Sequence, residues 1–279
     1  MSTLAMTLRD RIGVDLGGRR RLEDGLAWAA THGVHYVDAC LEGAPDHPNA
    51  PATWTTADRV AAVRATCDRH RIHLGLHSAS AVNVAETSPL LAAAADQYLR
   101  TYIDTAGRLG AEWIVVHGGY HFTGDYPARL AASLERLERT AAHAEQGAAR
   151  LLLENLNREP EHAEIRYLGH DLEECRRYFD RIRSPALGWA FTVNHAHLVP
   201  EGIDSFLDAM DLARCGEVRL ADSHGRYEQH LSPGEGTIDF TRMFGRIEGG
   251  GYRGHYMMAF GSLDDMLRGR DYLVRAAGG

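Results

Sequence analysis

WIVVHGGYHFTGDYPARLAASLERLERTAAHAEQGAARLLLE, residues 113–154, reads as a strand, a helix and a second strand. Trp113–His117 and Leu151–Glu154 are short apolar runs of strand length. Between them, over Ala128–Gln146, Leu130, Leu134 and Leu137 recur every three to four residues, the period of a helix with one buried face. Each strand runs directly into a side chain capable of chemistry, His117 in one case and Glu154 in the other.

The same unit repeats in both directions. Strands are expected at Ile12–Leu16, Val34–Asp38, Ile72–His77, Leu187–Thr192, Val218–Asp222 and Tyr256–Phe260, separated by Arg-, Glu- and Ala-rich helical stretches. Alternating strand and helix implies a parallel sheet, and eight such units imply a closed (β/α)8 TIM barrel. No Pro/Ser/Gly-rich linker divides the chain, so one domain over residues 1–279 is expected. Asp38, His77, His117, Glu154, Asp222 and the pair Thr192 and His195 stand at or just past strand ends. Barrel active sites are assembled at that rim.

Composition removes several classes of function. All 30 basic residues are Arg. Schiff-base chemistry and lysine-anchored pyridoxal phosphate need an amine that is absent, and so does a Walker P-loop. A net charge of −8 opposes a nucleic-acid backbone as partner, because phosphate neutralisation needs surplus cations. Cys40, Cys67, Cys175 and Cys215 form no CxxC pair and read as idle thiols. No apolar run is long enough to span a membrane. MSTLAMTLRDRIGVDL lacks the marks of a signal peptide, so a cytoplasmic location is expected.

Six segments in order resemble the superfamily of xylose-isomerase-like barrels, which includes sugar epimerases, inosose dehydratases, hydroxypyruvate isomerases and endonuclease IV. They are His77 with Asn83, LGAEWIVVHGG (109–119), LLLENLN (151–157), ALGWAFTVNHAHL (186–198), VRLADSHGRYEQHLSPGEGTIDF (218–240) and GYRGHYMMAF (251–260). The resemblance implies the barrel fold, a small polar substrate and a homo-oligomer. It also implies one divalent cation held by Glu, Asp, His and Glu from strands five to eight. Here those positions are Glu154, Thr192, Arg219 and Ala259. Three ligands are missing and one is replaced by a permanent cation, so that metal site is expected to be lost. Two readings of Arg219 stand: an internal salt bridge to Glu154, or a clamp on a substrate oxyanion. Likeness to endonuclease IV implies two further sets, His77, His117 and Glu154, and His195, Glu228 and His230. The first is the candidate site for one divalent transition metal; pocket lining without metal is the alternative. A role in DNA repair is not expected.

The resemblance leads to an isomerase- or epimerase-like enzyme working by acid–base proton transfer on a small sugar, polyol or related metabolite. Glu154 is the candidate base, with His195 or His117 as acid partner and Arg219 as oxyanion stabiliser. His230, Glu228, Asp222, His77 and Tyr120 are the candidate substrate-binding residues. The alternatives are a lyase or dehydratase on the same frame, or a catalytically reduced barrel that binds a metabolite or a partner protein. The HFTGDY loop and Trp54 are expected on the catalytic rim. Pro233–Gly236 and Gly249–Gly251 read as turns. Gly17–Gly18 with Arg19–Arg21 reads as a solvated loop before a phosphate site.

Overall fold

The computed structural model describes residues 6–18, 20–41 and 48–278; Arg19 lies outside them. Eight parallel strands close a barrel: β1 Ile12–Asp15, β2 Tyr36–Cys40, β3 His73–His77, β4 Trp113–Val116, β5 Arg150–Glu154, β6 Leu187–Thr192, β7 Cys215–Leu220 and β8 His255–Met258. Each pairs with its neighbours in sequence, and β8 returns to β1 through Ile12 opposite Tyr256. Every strand expected from the sequence is present, with ends moved by a few residues. The largest shift is in β7, which starts at Cys215 and stops at Leu220, so that Asp222 lies beyond it.

The connecting helices start where local chemistry allows. Pro89 and Pro127 occupy first-turn positions, where a missing N–H costs nothing. Ser262 and Asp265 cap each other's backbone before Leu263–Ala276. The helix expected over 128–146 runs over Tyr126–Ala144 and buries Leu130 and Leu137. Among the described residues, no helix is long and apolar enough to cross a membrane.

Among the described residues two separate apolar clusters form. The larger one lies between strands and helices. The smaller one, Trp113, Val115, Leu152, Ala190 and Met257 with Tyr36 against it, fills part of the barrel lumen. There the Trp113 indole lies over Gly75 and its Nε1 donates to Asp38 Oδ1 at 2.7 Å. A Cβ on Gly75 would stand 2.0 Å from the indole and 2.4 Å from that carboxylate oxygen. Gly75→Ala is therefore expected to lower unfolding free energy by about 1–3 kcal/mol, measured by urea denaturation, because the lumen has no room to absorb a methyl group.

One element carried no sequence signal. Tyr120–Phe122, after β4, pairs antiparallel with Ile165–Tyr167, after β5. Strands of three residues are too short to show a period. The pairing holds Tyr167 over the barrel mouth and turns the HFTGDY segment along the rim.

Candidate active site

A cavity of about 480 Å³ opens at the C-terminal ends of the strands. His77 and Glu154 are the last residues of β3 and β5, and His117 follows the last residue of β4. His195 sits in the helical turn Val193–Ala196 after β6. Glu228 and His230 come from the loop after β7, while Arg219 projects from β7 itself. All seven line the cavity, with Asp15 from β1 and Tyr167 from the rim hairpin.

Glu154 is the hub. It is 4% exposed. His117 Nε2 lies 3.1 Å and His77 Nε2 3.5 Å from its Oε2, while Thr192 Oγ1 donates to Oε1 at 2.5 Å. Burial alone would raise its pKa, but those histidine hydrogen bonds and the Arg219 charge hold it well below the usual carboxylate range. The two histidine Nε2 atoms are 3.1 Å apart, yet their titrations diverge. His117 is pushed down by burial. Burial and Arg219 also press His77 downward, but its hydrogen bonds to Asp15 and Glu154 prevail and carry it up to about 9. At neutral pH His77 is an imidazolium beside a neutral His117.

A second cluster converges on Glu228. His195 Nδ1 faces Asn155 O at 2.8 Å and His230 Nδ1 faces Ala259 O at 2.6 Å. A carbonyl only accepts, so both Nδ1 atoms carry hydrogen, a tautomer assigned from geometry. Both Nε2 atoms then point at Glu228 Oε1, at 3.0 and 2.6 Å. Burial raises the Glu228 carboxyl, and the hydrogen bonds from the two histidines outweigh it, bringing it to about 2.

The ligand positions implied by the sequence resemblance can be tested directly. Beside Glu154, Thr192 uses its hydroxyl as a donor, and Arg219 Nε stands 3.8 Å from Glu154 Oε1. Ala259 offers only its carbonyl, already taken by His230. These residues do not fit a divalent cation at that position. His77, His117 and Glu154 do fit one, with ligand atoms within 4.8 Å of each other, and His195, Glu228 and His230 form a set of the same kind.

Five expectations need correction. Arg219 is not mainly the partner of Glu154: its hydrogen-bonded partners are Asp15, Asp38 and Glu217. Asp38 lies inside β2, buried against Arg219 and Trp113, and not at the rim. Asp222, 1% exposed, accepts four backbone N–H groups of its own loop and does not line the cavity. Tyr120 is also outside the lining; its backbone is tied to Asn83. Trp54 is fully buried, with Arg59 stacked 3.6 Å from its ring. Sequence reading passed over Asp15 and Glu217. Asp15 could have been found, since it ends GVD at the tip of β1 much as His77 ends β3.

The model of the family described as xylose isomerase-like TIM barrel matches residues 26–273. A probable endonuclease 4 of Mycobacterium leprae is 26% identical over 235 residues, 80% of this chain and 84% of that protein. Among solved structures, a D-tagatose 3-epimerase-like protein superposes with a TM-score of 0.81 at 20% identity, over 96% of this chain and 97% of that one. A D-allulose 3-epimerase from Methylomonas sp., solved with D-allulose, gives 0.70 at 21% identity over 99% and 98%. With the closed barrel and the rim histidines in place, the chain belongs to the xylose isomerase-like TIM barrel family.

Proposed function

We propose that this protein is an isomerase or epimerase that moves a proton next to the carbonyl of a small sugar, polyol-derived ketone or related polar metabolite. The observation that carries this reading is Glu154: a buried carboxylate at the floor of the cavity, flanked by His117 and His77 on one oxygen. The sugar epimerases that share this fold support the substrate class. The cavity volume of about 480 Å³ suits one monosaccharide-sized molecule.

In the resting site Glu154 is a weak base, because two imidazoles hydrogen-bond to it. A substrate oxygen that draws His77 onto itself removes one of those bonds and makes the carboxylate more basic. Acid donation and base activation are thus one event. Glu154 then takes the proton from carbon, His117 or His195 returns one, and Arg219 faces the charge that develops on the substrate oxygen. His230 and Glu228 also line the cavity, where Glu228 accepts from substrate hydroxyls and His230 donates to them. If His77, His117 and Glu154 instead held a transition metal, His77 would have to lose its proton to ligate it, and the ion would supply Lewis-acid polarisation of that oxygen in place of the His77 proton.

Two measurements test the reading. Incubation with a panel of free ketoses in D2O should show deuterium entering the carbon beside the carbonyl, followed by NMR. Binding seen by thermal shift without any exchange would instead indicate a metabolite-binding barrel, and loss of water would indicate a dehydratase. Metal content by mass spectrometry should approach one ion per chain and vanish in His77→Ala/His117→Ala. Equal metal in both proteins would remove that cluster as the site.

A further inference from the structure

Arg219 is 3% exposed and carries a charge that no protein environment removes. Three carboxylates from three strands converge on it. Nη1 donates to Asp38 Oδ2 and to Glu217 Oε1, both at 2.6 Å, and Nη2 donates to Asp15 Oδ2 at 2.5 Å. Asp38 and Glu217 are themselves fully buried; burial and the neighbouring Glu217 push the Asp38 carboxyl well above its usual range, while, against burial, Arg219 and a histidine hold Asp15 and Glu217 below theirs, so those two carry the negative charge of the socket.

Each of these carboxylates spends its second oxygen on a fixed donor elsewhere. Asp38 Oδ1 accepts from Trp113 Nε1 at 2.7 Å, Glu217 Oε2 faces His255 Nε2 at 2.9 Å, and Asp15 Oδ1 accepts from Gly17 N at 2.7 Å. The indole and the imidazole are in turn packed against each other, ring centroids 4.1 Å apart. The guanidinium plane is therefore fixed from β1, β2, β4, β7 and β8 together. Three of its five N–H groups are used in this way. The Nε–H, on the side of Glu154 but 3.8 Å from Oε1, and the second Nη2–H are the donors left for an oxygen in the cavity.

We infer that Asp15, Asp38 and Glu217 are positioning residues that form an anionic socket for Arg219, making its guanidinium the resident cation of the site at the place beside Glu154 where the residues do not fit a divalent ion. This rests on the proton-transfer reading above for its chemical consequence, but the socket is testable without it. A socket shaped for a guanidinium recognises planarity and charge together, whereas an ordinary buried salt bridge requires only that the charge be compensated.

The experiment is chemical rescue of Arg219→Ala, which leaves a guanidinium-shaped anionic hole. Guanidinium at low millimolar concentration should raise the thermal midpoint of the variant by about 3 °C at ten times its dissociation constant. Urea, neutral and of the same shape, should not, and wild-type protein should respond to neither. If wild type exchanges substrate protons, guanidinium should also restore at least ten-fold of the activity lost in the variant. A folded variant that guanidinium does not stabilise overturns the socket. Stabilisation by urea as well overturns it too, since charge would then be irrelevant. If Arg219→Ala does not fold, Glu217→Gln, which removes a socket charge 2.6 Å from Nη1, supplies the second arm. It should lower kcat with little change in KM, and unchanged kcat in that folded variant would overturn the positioning role. Absence of proton exchange in wild type would refute the proposed reaction and leave the thermal result standing.

Discussion

Glu154→Gln is expected to abolish most turnover, by about 10²–10⁴-fold, while the protein stays folded. The amide keeps the volume and one acceptor oxygen at a position that is 4% exposed, but it cannot take a proton. The histidine contacts at 3.1 and 3.5 Å lose their charge assistance, so some stability should go as well, on the order of 1–3 kcal/mol. Arg219 keeps three carboxylate partners and is not left unpaired. The measurement is the deuterium exchange rate on the best ketose together with urea unfolding of the same sample. Full exchange in Glu154→Gln would remove the carboxylate as base and leave His117 as the candidate.

Asp222→Ala should be strongly destabilising. Oδ1 accepts from Ser223 N at 2.8 Å and Ile238 N at 3.1 Å; Oδ2 accepts from Gly234 N and Gly236 N, both at 2.9 Å. One carboxylate thus gathers the backbone of the whole loop after β7. Removing it strands N–H groups that have no other partner, a loss of about 3 kcal/mol or more. The PGEG turn needs its two glycines for different reasons. Gly234 has φ of +95°, and a Cβ on Gly236 would lie 2.3 Å from Asp222 Oδ1. Because Glu228 and His230 ride on this loop, their contacts with His195 should loosen in step, and activity should fall with stability. A substrate-binding role predicts the reverse: normal urea unfolding with a raised KM. That outcome would return Asp222 to the binding site.

The barrel was legible because its strands are short apolar runs and its helices carry a clear period, both local signals. The rim was legible too, since strand ends that stop on His or Glu fall at one face of any parallel barrel. His77, His117, Glu154 and His195 were identified in this way, Glu228 and His230 only through the resemblance to a known family, and the structure brings all six to one cavity. Asp222 and Tyr120 stood in similar sequence positions and do not line it. Whether a polar side chain beyond a strand faces the cavity or its own backbone depends on the loop's conformation, which neither period nor propensity encodes.

The identity of the partners of Arg219 marks the boundary most clearly. The sequence alone determined that an always-charged guanidinium lies in β7, where it must be compensated if buried, and that eight strand–helix units close around it. Only the tertiary structure decided that Asp15, Asp38 and Glu217 do the compensating. Asp15 and Asp38 are 204 and 181 residues away along the chain and meet Arg219 across the lumen because closure of β8 onto β1 sets the strand registers. Glu217 is two residues away and joins because alternate residues of a strand share one face. Registers of parallel strands arise from packing of the whole barrel, so the charge pairs inside it exist in no local stretch of the chain.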